Sequence, residues 1–453
     1  MNSIPQKKPR LLFARVRAPR PAGFDGGGVT SVWFIEYLIA AGYELAVLYL
    51  EMPEDGKSYD EKQRQQDWEG IRAMGVARIV SIPYPIVGMA SGPRVGLFSR
   101  IERAVRNRIA IGRRDRYVRR QIVDAVSDVG PDACFIFSEV LEYFADVNGV
   151  TKVAWLPHTG VPFHKIQIDL GWFSLLGSQW LGRLTYPLWL RSNHYHLKKL
   201  VERLDGGLVP SLWYGAEYRR LGLLPPVFVE CHHPARDESI DLSFADFAAP
   251  SPNRPFRVAM VGNLVQSLTS AGLAFLGDEI VPALQKRGVL ADFEFYLIGK
   301  FQPRPDIAAR LTQANIRLAG YVENLADAVN RADVVLHPVP YPPGAGVRLC
   351  SITSTYACLV LHSAVADSFE EFHHGENCLV ATTGEEFVDA LLAACTDREL
   401  NGRLRANARA TFERYYRLDR FGPVLEDLIV RTIEDRRRRN SAQTISALVG
   451  ESR

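Results

Sequence analysis

The sequence predicts an α/β protein of two Rossmann-like domains that face each other across a cleft. Three observations predict it. Short β-branched and apolar runs alternate with longer helical patterns along nearly all of the 453 residues, which is the mark of βα units on a parallel sheet. The chain is two or three times longer than one hydrophobic core usually serves. A stretch of prolines and small residues, FADFAAPSPNRP at 244–255, interrupts the alternation and reads as the interdomain linker. The expected division is 1–250, 251–417, and a C-terminal helix and tail over 418–453.

In the first half the expected order is a strand LLFARVR (11–17), a glycine-rich loop FDGGG, a helix VTSVWFIEYLIAAG and a strand ELAVLYL. Further strands are expected at ARIVSIP (77–83), ACFIFS (133–138), KVAWLP (152–157) and GGLVPS (206–211). The second half is clearer, with FRVAMVG (256–262), FEFYLIG (293–299), IRLAGYV (316–322), VVLHPV (334–339), LVLHS (359–363) and CLVAT (378–382) each short enough for a strand. Between and after them, LAFLGDEIVPALQKRG and the long segment from Glu386 to Tyr416 repeat apolar residues at helical spacing.

Composition excludes several classes. The chain is 47% hydrophobic and 23% charged, with 54 basic against 51 acidic residues, so its surface as a whole is not built to neutralise nucleic acid. The six cysteines are scattered, never spaced as CxxC, and lie mostly within apolar runs, as buried free thiols of a reducing compartment do. The N-terminus MNSIPQKKPR lacks the apolar core of a secretory signal. The uncharged stretch Leu170 to Gly182 is only 13 residues long, short of the roughly 20 that span a bilayer. A cytoplasmic protein without a transmembrane segment is expected.

Some residues carry chemistry. Gly344-Ala345-Gly346 follows the strand VVLHPV and precedes the helical stretch VRLCSITSTYA. A diphosphate there would meet the free amides of Gly344 to Val347 and the Arg348 guanidinium, at the end of a strand where open α/β sheets bind ligands. Gly26, Gly28 and Ser31 approximate GxGxxG, but APRPAGFD separates them from the first strand, so a sugar or phosphate contact suits Gly27 and Gly28 better than a dinucleotide. His158 closes the strand KVAWLP and stands in a cleft position. The histidine pairs lack the carboxylate or cysteine spacing of a closed zinc site, so no metal is expected.

The second domain, read as VGN, a helix with EIVPAL, FYLIGK, LAGYVENLADAVNRADVVLHPVPYPPGAGVRL, EEFHHGENCLV and RANARATFERYY, resembles the nucleotide-sugar-binding half of retaining family-four glycosyltransferases of the GT-B fold. The resemblance covers residues 254–417. It implies transfer of a sugar from a nucleotide-diphosphate donor to a glycan or lipid-linked glycan, with retention of configuration and without cofactor or metal. The implied donor contacts are Gly27, Gly28, Gly262, Asn263, Lys300, Gly344, Ala345, Gly346, Val347 and Thr353. His158 and Arg348 are the implied catalytic pair, His158 on the transferred sugar.

The departures from that family are informative. The loop GNLVQSLTSAG carries neither the arginine nor the lysine usually offered to the leaving diphosphate. Ala345 and Thr353 stand where two glutamates are usual, and Cys350 where lysine is common. Arg348 and Lys300 are the cations left to compensate, with Asn263, Ser267 and Thr269 as neutral donors. The alternative function is a non-catalytic GT-B protein that binds sugar nucleotides or assembles partners; a sugar-nucleotide epimerase ranks third.

One further pattern concerns surfaces. Arg94 to Arg120 holds ten arginines against Glu102 and Asp115, and residues 169–199 bring four Trp or Phe, two Tyr and flanking cations. Together they resemble an interfacial membrane contact, which RTIEDRRRRN near the C-terminus would reinforce. The expected partners are therefore a nucleotide sugar, a glycan or glycolipid and an anionic membrane surface, with nucleic acid excluded for want of a groove-reading motif.

Overall fold

The computed structural model describes residues 8–19, 26–52, 59–85, 97–157, 159, 161–172, 179–238, 254–322, 324–344 and 346–450. Seven parallel strands form the first sheet: β1 (Arg10–Arg15), β2 (Glu44–Glu51), β3 (Arg78–Pro83), β4 (Ala133–Phe137), β5 (Thr151–Trp155), β6 (Gly206–Val209) and β7 (Val227–Glu230). Their order is β3-β2-β1-β4-β5-β6-β7. Six parallel strands form the second: β8 (Phe256–Val261), β9 (Phe293–Ile298), β10 (Ile316–Gly320), β11 (Val334–His337), β12 (Leu359–His362) and β13 (Leu379–Ala381), ordered β10-β9-β8-β11-β12-β13. Both sheets reverse direction once, between β1 and β4 and between β8 and β11. Ligands in doubly wound sheets bind outside the strand ends at such a reversal.

The strands read as near-continuous apolar runs because both faces of each sheet are covered. Buried clusters centred on Leu12, Leu48 and Ile136, and on Phe13, Phe34 and Phe135, lie on opposite faces of the first sheet. The second sheet is enclosed in the same way by clusters around Leu297 and Phe387 and around Leu349 and Phe412.

Three elements differ from the sequence expectation. β7, with the sequence VFVE, is a four-residue edge strand and only partly buried, so it carries almost no alternation. The segment from Glu386 is two helices, Gly384–Thr396 and Arg398–Tyr415, because Asp397 leaves helical geometry and its carboxylate accepts from the Leu400 amide, capping the second. The glycines of FDGGG are also not all loop, since Gly26 to Gly28 form the first turn of the helix Gly26–Ala40. Most of the expected linker lies outside the described residues.

The chain crosses between the domains twice. The first crossing follows β7 through residues 231–238, and Arg409 holds it by donating to both carboxylate oxygens of Asp237 at 2.6 Å. The second crossing lies beside it, where Ala235 bridges Arg417. The helix Leu418–Gly450 then returns to the first domain, burying Phe421, Leu425, Leu428, Ile429 and Ile433 beneath its sheet. Gly206 is required there, since a Cβ would strike the Thr432 side chain. Arg436 and Arg439 of the RRRR run donate to Asp205, and Arg438 pairs with Glu434. Arg436 and Arg439 therefore fasten the returning helix to the first domain, while Arg437 and Arg438 stay exposed.

His233 sits in the first crossing, buried edge-on against Trp155. Burial pushes its pKa down to about 4, so it is neutral in the native state while the unfolded chain titrates near the ordinary value of about 6.5. The unfolded state binds the extra proton, and stability is lost as pH falls below 6.5. The expected loss from His233 is about 2 kcal/mol at pH 5. Urea unfolding at pH 7.5 and pH 5 measures it, and the His233→Asn chain should lose less stability between the two.

Candidate functional site

At the reversal of the second sheet, the ends of β8 and β11 meet the helices Ser267–Phe275 and Val347–Thr353. Gly262, directly after β8, is buried and its amide donates to Ile298 O at 2.8 Å, so that amide is not open to a ligand. Its contribution is room. A Cβ on Gly262 would come within 2.8 Å of both the Thr269 side chain and Arg348 Nη1. Asn263 shapes the following turn, its Oδ1 accepting from the Val265 amide at 3.3 Å.

Through that gap Arg348 reaches back from its helix. Nη1 donates to Thr269 Oγ1 at 3.1 Å and Nη2 to Gln266 Oε1 at 3.4 Å. Both partners are neutral, and among the described residues no carboxylate pairs with this guanidinium. Burial holds its pKa down to about 10, the sign of a cation taken out of water without a counterion. Its charge is felt by His337 at the end of β11, which burial and then Arg348 depress to about 4. A neutral imidazole and a part-buried guanidinium thus stand together at the strand ends. An anion is what this arrangement lacks.

The neighbouring expectations are met unevenly. Gly346 (φ 60°) occupies the left-handed region and lies against Phe369, and Gly346, Val347 and Arg348 are part-exposed. Gly344 (φ 76°), expected to offer its amide to a ligand, is instead buried with Tyr214 Oη 2.8 Å from where a Cβ would stand. Thr353, expected at a ribose, is fully buried and its hydroxyl donates to Cys350 O at 2.6 Å, so it faces its own helix. Lys300 follows β9, the strand beside β8, with its ammonium 5.6 Å from the Phe301 ring centre. Ala345 and His158 lie outside the described residues, while Gly27 and Gly28 belong to the helix that follows β1.

The first domain approaches the same place. Thr159, next to His158, is buried and donates to Glu217 Oε2 at 2.6 Å. Glu217 shares the helix Leu212–Leu221 with Tyr214, the residue against Gly344. The end of β5 is thereby tied to the glycine turn of the second domain. Beyond it, the helix Val161–Asp169 packs on Ser267–Phe275. Tyr341 Oη donates to Asp169 at 2.7 Å, and Trp172 Nε1 donates to Asp306 at 2.8 Å beneath the Arg304 guanidinium. Sequence reasoning missed Gln266, His337, Tyr214 and this strap. His337 alone left a local trace, a histidine closing an apolar strand.

The six cysteines are free, and all but the half-buried Cys231 are buried; burial pushes Cys134, Cys358 and Cys378 up to about 12. Among the described residues no group of His, Cys, Asp or Glu could hold a metal ion, and no helix is long and apolar enough to cross a membrane.

Comparison with known proteins follows this geometry. Residues 255–397 match the family described as Glycosyl transferases group 1. No curated protein matches. Among solved structures, sucrose-phosphate synthase from Thermosynechococcus elongatus superposes with a TM-score of 0.60 at 14% identity, over 94% of this chain and 100% of that one. A glycosyltransferase from Rickettsia africae gives 0.58 at 11%, over 94% and 99%. HepE from Anabaena, in complex with UDP and glucose, gives 0.59 at 12%, over 93% and 99%. The second sheet therefore lies in the stretch that matches glycosyl transferases group 1, and the two parallel-sheet domains share the GT-B fold of these structures.

Proposed function

We propose that the chain is a working glycosyltransferase that moves a sugar from a nucleotide-diphosphate donor to a glycan or lipid-linked glycan, with retention of configuration. The observation that carries the proposal is the part-buried Arg348 guanidinium with only neutral partners among the described residues, at the reversal of the second sheet. A nucleoside diphosphate supplies the missing anion. The HepE complexes with UDP and UDP-glucose support a donor of that kind.

In this reading Arg348, the part-exposed Gly346–Val347 backbone and Lys300 take up the charge that grows on the diphosphate as the anomeric carbon–oxygen bond breaks. An acceptor hydroxyl forms the new bond to that carbon, and its proton leaves toward the departing phosphate oxygen. Stabilisation comes from groups already in position, so little reorganisation accompanies the step. His158 and the Gly26–Ala40 helix would face the sugar from the first domain. We place the enzyme in the cytoplasm, at a membrane when the acceptor is a glycolipid.

A thermal-shift screen of nucleoside diphosphates and their sugars tests the donor, since a ligand bound only by the native state raises the unfolding midpoint. At a ligand concentration one hundred times Kd the expected stabilisation is about 2.7 kcal/mol. A stabilising donor that is then transferred to a glycan acceptor supports the proposal. Stabilisation without transfer across a broad acceptor panel supports the non-catalytic reading that Ala345 and Thr353 suggest, and no stabilisation by any donor overturns both.

A further inference from the structure

The helix Gln179–Val201 exposes large apolar side chains that no described residue covers. Trp180, Leu184, Leu188 and Tyr195 are 67%, 58%, 66% and 66% exposed. At about 100° per residue these four positions fall within roughly 80° of the helix circumference. The helix contains no aspartate or glutamate, and Arg183, Arg191 and Lys198 lie on or beside the same arc. Lys199 is taken up by Glu202 at 3.1 Å.

A second helix adds charge of the same sign. In Leu97–Val129, Val118, Ile122 and Val126 point into the core that also receives Leu197 and Val201, so both helices cover the same face of the first sheet. Its outer side exposes Arg113, Arg116 and Arg120 together with Ile109 and Tyr117. Among the described residues these three arginines have no acidic partner. By contrast, Arg114 is held by Asp115 and Arg119 lies 3.7 Å from Asp146. An apolar and aromatic stripe beside unpaired cations is the composition of a surface that lies in the headgroup region of an anionic bilayer.

We infer that this face of the first domain docks on an anionic lipid surface, with Trp180, Leu184 and Leu188 entering the interface and Arg113, Arg116 and Arg120 meeting the headgroups. A soluble acidic protein would satisfy the arginines, but not a helix whose tryptophan and leucines stand open to water. The docking deepens the placement proposed above without resting on sugar transfer, because vesicles are bound or not bound in the absence of any donor.

Co-sedimentation of the full chain with phosphatidylcholine vesicles, with and without phosphatidylglycerol, tests it. Binding is expected only with the anionic lipid, and it should weaken in high salt. The triple variant R113Q/R116Q/R120Q should bind roughly 100-fold more weakly, at about fivefold per arginine. W180S/L184S should lose binding tenfold or more, with the thermal midpoint confirming that both variants fold. Absence of binding to anionic vesicles overturns the inference, as does equal binding by wild type and the triple variant. A concentration-dependent dimer abolished by W180S/L184S would assign the face to a second copy of this chain and also overturn it.

Discussion

Replacing Arg348 with alanine is expected to lower kcat/KM for the nucleotide sugar by between about ten- and about 150-fold, and to weaken nucleoside diphosphate binding by a similar factor. The size follows from the charge-assisted bonds at stake, about 1.5 to 3 kcal/mol, where each 1.4 kcal/mol is tenfold. The Thr269 and Gln266 side chains that hold the guanidinium would remain. Stability should move the other way or not at all, because the variant removes a partly desolvated charge that has no counterion among the described residues. That opposition separates a ligand-binding arginine from a structural one, whose loss would lower both. Arg348→Lys should recover only part of the binding, since an ammonium cannot bond a phosphate through two parallel donors. Steady-state kinetics at subsaturating donor, with urea unfolding alongside, measures both quantities.

The second large effect is expected at Gly299. Beyond the paired ends of β8 and β9, its Cα rests on the Gly262 carbonyl, and a Cβ there would overlap that oxygen. The obstacle is backbone, held by bonds from Gly262 N to Ile298 O and from Gly299 N to Gly320 O, both 2.8 Å. No rotamer relieves it. Gly299→Ala should therefore cost about 3 kcal/mol or more, and the strand ends that part to accept it are those beside Arg348. Gly70→Ala, in a helix with open space around the new methyl, should be neutral or stabilising by about 0.5 to 1 kcal/mol. Chemical denaturation of the two variants against wild type checks the contrast.

How legible these features were depends on whether their cause is local. RLLFAR, ELAVLYLE and FRVAMV announce themselves because a strand buried on both faces must be apolar throughout. Asp397 was legible in principle, an aspartate before Arg-Glu-Leu being an ordinary helix start. VFVE was not, because an edge strand of four residues leaves too little pattern. The candidate site divides in the same way. Arg348 and the neutral donor Thr269 could be named from a strand, a glycine turn and a helix in sequence. The burial of Gly344 could not, since Tyr214 reaches it from the other domain. The inward turn of Thr353 was not legible either, because a seven-residue helix gives no periodicity from which to tell its open side from its core side. Within the charge run 436–439, the tie of Arg436 and Arg439 to Asp205 could not be read before the fold brought Asp205 against them.

The most direct measurement is a crystal structure of the full chain with a nucleoside diphosphate bound. Phosphate oxygens are expected at the ends of β8 and β11, one of them within hydrogen-bond distance of Arg348 Nη1 or Nη2 and close to the Gly346–Val347 backbone. A diphosphate bound elsewhere in the molecule, with Arg348 still bonded only to Thr269 and Gln266, would contradict that expectation.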